Sequence, residues 1–138
     1  MKPYEVILVD DHPAIRQSIK AILSENEEYE VTAEAADGYE LLQLLRYKPK
    51  LPDLVILDIS MPRLQGIEAT RIIKQFFPNL KVLILSVHKE REYVSRAFLA
   101  GANGYVFKPD ACSELFEAIQ AIRGGSDYRS AHLDCSVH

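Results

Sequence analysis

Hydrophobic positions along this chain follow two alternating rhythms. Unbroken apolar runs, Val6-Ile7-Leu8-Val9, Leu54-Val55-Ile56-Leu57 and Val82-Leu83-Ile84-Leu85, alternate with stretches whose apolar residues return every three or four positions. A run apolar at every position belongs to a parallel strand covered on both faces, and the longer spacing marks the buried stripe of an amphipathic helix. The pattern predicts strand Val6–Val9, then a helix opened by Pro13 and carrying Ile15, Ile19, Ile22 and Leu23. A less apolar, edge-like strand follows over Tyr29–Ala36, broken at Asp37-Gly38, and a helix buries Leu41, Leu42, Leu44 and Leu45 before Pro49 and Pro52 stop it. After strand Leu54–Leu57, Pro62 and Gly66 force a loop. A third helix buries Ala69, Ile72, Ile73 and Phe76, and strand Lys81–Leu85 ends on Ser86. A helix over Glu90–Ala100 leads through Gly101 and Gly104 to a short strand, Tyr105–Phe107. The last helix carries Leu115, Phe116, Ile119 and Ile122 and closes at Gly124-Gly125.

Five strand-then-helix units predict an α/β fold: a five-stranded parallel sheet of flavodoxin-like order 2-1-3-4-5, with five helices on both faces. Residues 1–125 are expected to be the folded domain, and 126–138, which have no periodicity, a linker or tail. At 138 residues and 48% hydrophobic composition, the chain has enough core for one domain without disulfides or structural metals. Its net charge of −4 argues against nucleic acid as a direct partner. Cys112 and Cys135 form neither a disulfide framework nor a metal-ligand spacing. With no signal peptide and no membrane-length apolar run, the expected location is cytoplasmic, with no membrane partner.

Chemistry gathers at the carboxyl ends of the strands, where parallel sheets bind their ligands. Asp10 and Asp11 follow the first strand, Asp58 the most apolar one, Ser86 the fourth and Lys108 the fifth. A charge ending a buried strand is seldom there to build a core. Carboxylates about 4 Å apart repel by roughly 4 kcal/mol at an effective dielectric of 20, so this group calls for a cation. All-oxygen ligands favour Mg²⁺ or a similar hard ion such as Mn²⁺. A metal, a lysine, a hydroxyl and a carboxylate free to attack suit phosphoryl transfer, with Asp58 as the nucleophile.

Val9-Asp10-Asp11-His12, Asp53-Leu54-Val55-Ile56-Leu57-Asp58-Ile59-Ser60-Met61-Pro62, Gly66-Ile67-Glu68-Ala69-Thr70-Arg71, Ser86 and Gly104-Tyr105-Val106-Phe107-Lys108, in this order, make residues 4 to 125 resemble a response-regulator receiver domain of two-component systems, with a CheY-like fold. The surroundings of the acidic pair and of Gly66–Arg71 are most similar to the NarL/FixJ (LuxR-type) regulators. The resemblance implies that Asp58 accepts a phosphoryl group from a histidine kinase or phosphorelay partner. It also implies that Asp11, Asp58 and the Ser60 carbonyl hold Mg²⁺, with Asp10 reaching it directly or through water. Lys108 and Ser86 would bind the phosphoryl oxygens, Tyr105 would swing inward as Ser86 moves, and the Lys108–Pro109 bond would be cis. Phosphorylation would then remodel a homodimer face around the fourth helix and fifth strand.

Plainer roles stand beside these. Asp10 suits a helix N-cap, His12 a helix start, Cys112 a partly buried helix position, and Tyr105 an ordinary strand aromatic. His88 reads as a loop residue near the site, and His132 and His138 as tail residues without a role. A haloacid-dehalogenase-like phosphatase would need a second acid two residues after the nucleophile, where Ser60 stands. A nucleotide-binding module would need a Gly-rich loop where Asp10 and Asp11 stand. A receiver that acts by protein contact without phosphorylation is the remaining alternative. The expectation is a signalling phosphoacceptor rather than an enzyme, its magnesium-dependent self-phosphorylation and autodephosphorylation aside. DNA binding and control of transcription would belong to a C-terminal helix-turn-helix domain that this chain does not contain.

Overall fold

The structure, a computed structural model, describes residues 2–60 and 65–130. Met61 and Pro62 of the loop after Asp58, and Cys135, His132 and His138 of the tail, lie outside the described residues. The elements run β1 Tyr4–Val9, α1 Pro13–Leu23, β2 Tyr29–Ala35, α2 Gly38–Tyr47, β3 Leu54–Leu57, α3 Gly66–Phe76, β4 Lys81–Ser86, α4 Arg91–Leu99, β5 Gly104–Phe107, a 3-10 turn Lys108–Asp110, α5 Ala111–Arg123 and β6 Tyr128–Arg129. The sheet order is β2-β1-β3-β4-β5-β6, and all five pairings are parallel.

Alternation along the strands splits the core in two. Val6, Leu8, Leu54, Ile56, Leu83, Leu85 and Val106 face α1 and α5, with Ile19, Leu115 and Ile119 packed on them. Ile7, Val9, Val55, Leu57, Val82, Ile84 and Tyr105 face α2, α3 and α4. Both layers need apolar partners, which is why the central strands carry no polar alternation. Among the helical stripes, Phe76 departs from expectation. It is 66% exposed, and Phe77, one position on, packs against the core instead.

Helix ends follow local chemistry. Asp37 caps α2 by accepting the Glu40 N–H (2.9 Å), and Glu40 reaches back to the Ala36 N–H (3.0 Å), a close relative of the capping box. Pro13 opens α1, where a missing N–H costs nothing. Gly101 after α4 and Gly125 after α5 take φ of +108° and +96°, the left-handed turn that glycine accepts without strain.

The sheet has six strands rather than five. Residues 126–130 do not behave as a tail, because Tyr128–Arg129 adds a parallel strand outside β5. Tyr128 N–H donates to the Asn103 carbonyl (3.1 Å) and Ser130 N–H to that of Tyr105 (3.0 Å). Those edge groups of β5 would otherwise be left unpaired beside the core. Two residues are too few for any hydrophobic period to announce.

At the opposite edge, Glu34 of β2 accepts from Arg16 Nε (3.1 Å) and Lys20 Nζ (2.9 Å) on α1. The Lys20 bond holds the Glu34 carboxyl below its usual range, burial opposes it, and Arg16 adds to the lowering. A carboxyl depressed by folding stabilises the fold above its unfolded pKa, and that contribution is lost as pH falls through the folded value. Glu34→Gln is therefore expected to lower the thermal midpoint at about pH 7 and to leave it nearly unchanged at about pH 3. An equal drop at both, by calorimetry, would assign the effect to shape rather than charge.

Candidate functional site

The register sets the strand ends side by side. Val9 pairs with Leu57 and Leu57 with Ile84, while Ser86 pairs with Phe107. The residues just past β1, β3 and β5 therefore emerge together. Asp58 N–H donates to the Val9 carbonyl (3.1 Å), which seats the Asp58 backbone beside that of Asp10.

Asp58 is 5% exposed. Its Oδ1 accepts the Ile59 N–H at 2.8 Å, and its Oδ2 lies 3.5 Å from Lys108 Nζ. Lys108 donates to Asp10 Oδ2 at 2.7 Å, so one ammonium stands between two buried carboxylates. Burial pushes the Asp58 carboxyl above its usual range. Lys108 pulls it down, and the Asp10 charge pushes it up again. Asp10 Oδ1 accepts the His12 N–H (2.8 Å), so its carboxylate steadies the turn into α1, although the capping position itself belongs to His12. Arg16 on the first turn of α1 donates to the Asp10 carbonyl as well as to Glu34, which ties the end of β1 to the edge strand.

Asp11 Oδ1 is buried, lies 3.0 Å from His12 Nδ1 and makes no hydrogen bond. Among the described residues, Asp10, Asp11 and His12 offer ligand atoms within 4.8 Å of one another. A buried, unbonded carboxylate oxygen among acids that outnumber their lysine fits a hard cation. His12 stands nearer to that cluster than a plain helix start would. Asp58 lies outside the tight group, with Lys108 between it and Asp10.

Ser86 and Tyr105 are fully buried on adjacent strands. Ser86 Oγ accepts the His88 N–H (3.0 Å), and the Tyr105 hydroxyl donates to the His88 carbonyl (2.6 Å). Burial pushes the Tyr105 hydroxyl up to about 12, with the nearby Ser86 hydroxyl acting in the opposite direction. Tyr105 thus already stands inward. The Lys108–Pro109 bond is not cis, since no cis peptide occurs among the described residues. Pro109 sits in the opening of the 3-10 turn, a place that needs no N–H, and the trans isomer is the lower in energy.

His88 is placed by tertiary contacts that no motif announced. Its Nε2 is 3.1 Å from Ser60 Oγ, across the mouth of the site, and its ring stacks on Tyr93 with centroids 4.3 Å apart. The Ser60 side chain itself is exposed. Cys112, expected to be partly buried, is exposed on α5 and stands apart from this chemistry.

A family model described as the response regulator receiver domain matches residues 6–120. The chain belongs to the response regulator receiver family. The receiver is 37% identical to the transcriptional regulatory protein DegU of Brevibacillus brevis, over 90% of this chain and 52% of that protein. It is 40% identical to the fimbriae Z protein of Escherichia coli K12, over 91% of this chain and 59% of that one. Among solved structures it is similar to a LuxR-family two-component response regulator from Aurantimonas sp., with a TM-score of 0.85, 38% identity and coverage of 92% and 89%. The receiver domain of the response regulator NarL from Mycobacterium tuberculosis superposes with a TM-score of 0.83, at 30% identity and coverage of 91% and 99%. These likenesses support a receiver of the NarL/LuxR type. The receiver spans about half the length of the curated relatives it matches. Among the described residues, no helix is long and apolar enough to cross a membrane.

Proposed function

We propose that this receiver is the phosphoacceptor part of a two-component response regulator and that Asp58 takes the phosphoryl group. The observation that carries the reading is Asp58 itself. It is a buried carboxylate with one oxygen held by the Ile59 N–H and the other turned toward Lys108, beside a second carboxylate. Holding Oδ1 leaves Oδ2 as the nucleophile. A P–O bond forms to it as the bond between phosphorus and the donor's leaving group breaks. Lys108, already 3.5 Å from that oxygen, meets the charge gathering on the phosphoryl oxygens. Ser86, buried on the strand next to that of Tyr105, offers a hydrogen bond to the new group and leaves Tyr105 to fill the space beside it. Asp10, Asp11, Asp58 and the Ser60 carbonyl would hold Mg²⁺ or Mn²⁺, and the unbonded Asp11 Oδ1 supports this. When bound, the ion supplies neutralising charge for the phosphoryl oxygens.

A group of about −1.5 to −2 charge placed beside Ser86 and Tyr105 biases a two-state element, here the α4–β5 surface. The donor in this reading is a cytoplasmic histidine kinase or phosphorelay partner, and the switched state favours a homodimer. Several of the matched relatives are transcriptional regulators by name, and one solved relative, RcsB of Salmonella, was determined on promoter DNA. By analogy, control of transcription would pass through a C-terminal DNA-binding domain in a longer protein. The test is intact mass after incubation with acetyl phosphate, with and without Mg²⁺. One phosphoryl adduct that a chelator prevents is the expected result. Absence of any adduct would overturn the phosphoacceptor reading and leave a receiver that acts by contact alone.

A further inference from the structure

Strand β6 lies directly against the residue read above as the switch. Tyr105 pairs with Arg129, and paired residues of parallel strands project to the same face. Tyr128 takes the other face. Its hydroxyl donates to Glu114 on α5 at 2.8 Å and lies 3.5 Å from Glu117. Arg129 therefore falls on the α4 side, where its guanidinium carbon sits 4.2 Å from the centre of the Phe98 ring. A surface cavity there is lined by Arg91, Val94 and Ser95 of α4 and by Arg129. Tyr105 lies in the same layer, in the core cluster that includes Val94 and Ala97. β4 lies on the inner side of Tyr105 and β6 on its outer side, so Arg129 is the residue that the outer strand sets beside it on this face.

We propose that Arg129 is a positioning residue for Tyr105: laid over Phe98, it flanks the tyrosine on the outer strand and holds it inward. The inference rests on the reading of Tyr105 as the switch. β6 is itself fastened to the strand it guards. Ser130, 2% exposed, donates its N–H to the Tyr105 carbonyl (3.0 Å). Its hydroxyl accepts the Phe107 N–H (3.0 Å) and donates to Glu114 (2.7 Å). Docking of β6 and inward placement of Tyr105 thus stabilise each other, and the coupling is reciprocal. An outward Tyr105 displaces Arg129, and an undocked β6 uncovers Tyr105. The segment after α5 becomes the element through which the switch pulls on whatever follows Ser130.

The test is nitration of Tyr105 by tetranitromethane, located by peptide mass mapping. It is run without phosphodonor or Mg²⁺, so that its outcome is independent of Asp58 chemistry. Tyr105 of the unaltered chain is expected to resist. In Arg129→Ala, with an unchanged circular dichroism spectrum, its modification should quicken by about fivefold or more, the lower end of ordinary coupling between sites. Ser130→Ala, which removes the hydroxyl bonds to Phe107 and Glu114 and so loosens β6 while keeping Arg129, should also quicken it, and Arg129→Lys should restore much of the protection. Arg91→Ala, on the opposite lip of the cavity, should change nothing. Equal protection in Arg129→Ala, or equal exposure in Arg91→Ala, would overturn the proposal.

Discussion

Asp58→Asn takes up no phosphoryl group from acetyl phosphate at any Mg²⁺ concentration, and at neutral pH it is more stable than the parent. Loss of the adduct follows because the amide offers no anionic oxygen to attack phosphorus. The gain in stability follows from burial. The fold raises the Asp58 carboxyl pKa, through desolvation first and the Asp10 charge as well, with Lys108 opposing. A group raised on folding contributes stability that is full below its unfolded pKa and is lost as pH climbs through the folded value. The parent therefore carries a cost at pH 7 that the asparagine variant lacks, while Lys108 keeps its bond to Asp10. The thermal midpoint measured without Mg²⁺ should rise by roughly 4 °C for each kcal/mol recovered. The difference should shrink as pH falls below the raised folded value and the parent carboxyl takes up its proton. An adduct that persists in Asp58→Asn would place the phosphoacceptor elsewhere.

The second large effect is structural and sits eight residues further along. A Cβ added to Gly66 would lie 2.0 Å from the Asp58 carbonyl oxygen and 2.9 Å from the Ile59 Cα. Both are backbone atoms, so no rotamer change relieves the clash. Gly66 N–H also donates to the Ile59 carbonyl at 2.9 Å, which draws the start of α3 against the end of β3. Gly66→Ala must push the two apart, with an overpacking cost of about 1–3 kcal/mol and a weakened hydrogen bond worth about another 1 kcal/mol. The urea midpoint should fall accordingly. Because the displaced backbone carries Asp58, the rate of adduct formation should fall as well, even in the folded fraction. An unchanged midpoint would mean that the Asp58–Gly66 approach is looser than this geometry.

Much of this was legible along the chain, for a local reason. A strand buried on both faces has to be apolar throughout, so β1, β3 and β4 announced themselves, and each charged or hydroxyl residue ending such a run stood out. Parallel pairing then fixes which ends share a side, and Asp10, Asp58 and Lys108 do converge. Tyr105 and Ser86 were legible as neighbours because their strands are consecutive.

Sequence alone therefore determined the five βα units, their parallel order and the acids, hydroxyl and lysine gathered at one end of the sheet. Period and strand length are properties of short segments, and right-handed crossovers leave a few topologies, of which the flavodoxin-like order is the commonest. Tertiary structure decided what depends on long-range contact. It set His88 against Ser60 across the site, divided Lys108 between Asp10 and Asp58, and brought Asp58 within reach of Gly66. It also laid Tyr128 and Arg129 along β5 as a sixth strand. Two residues carry no period, and their place comes from the unpaired backbone of β5 and from the partners Glu114 and Phe98 that other helices bring beside it.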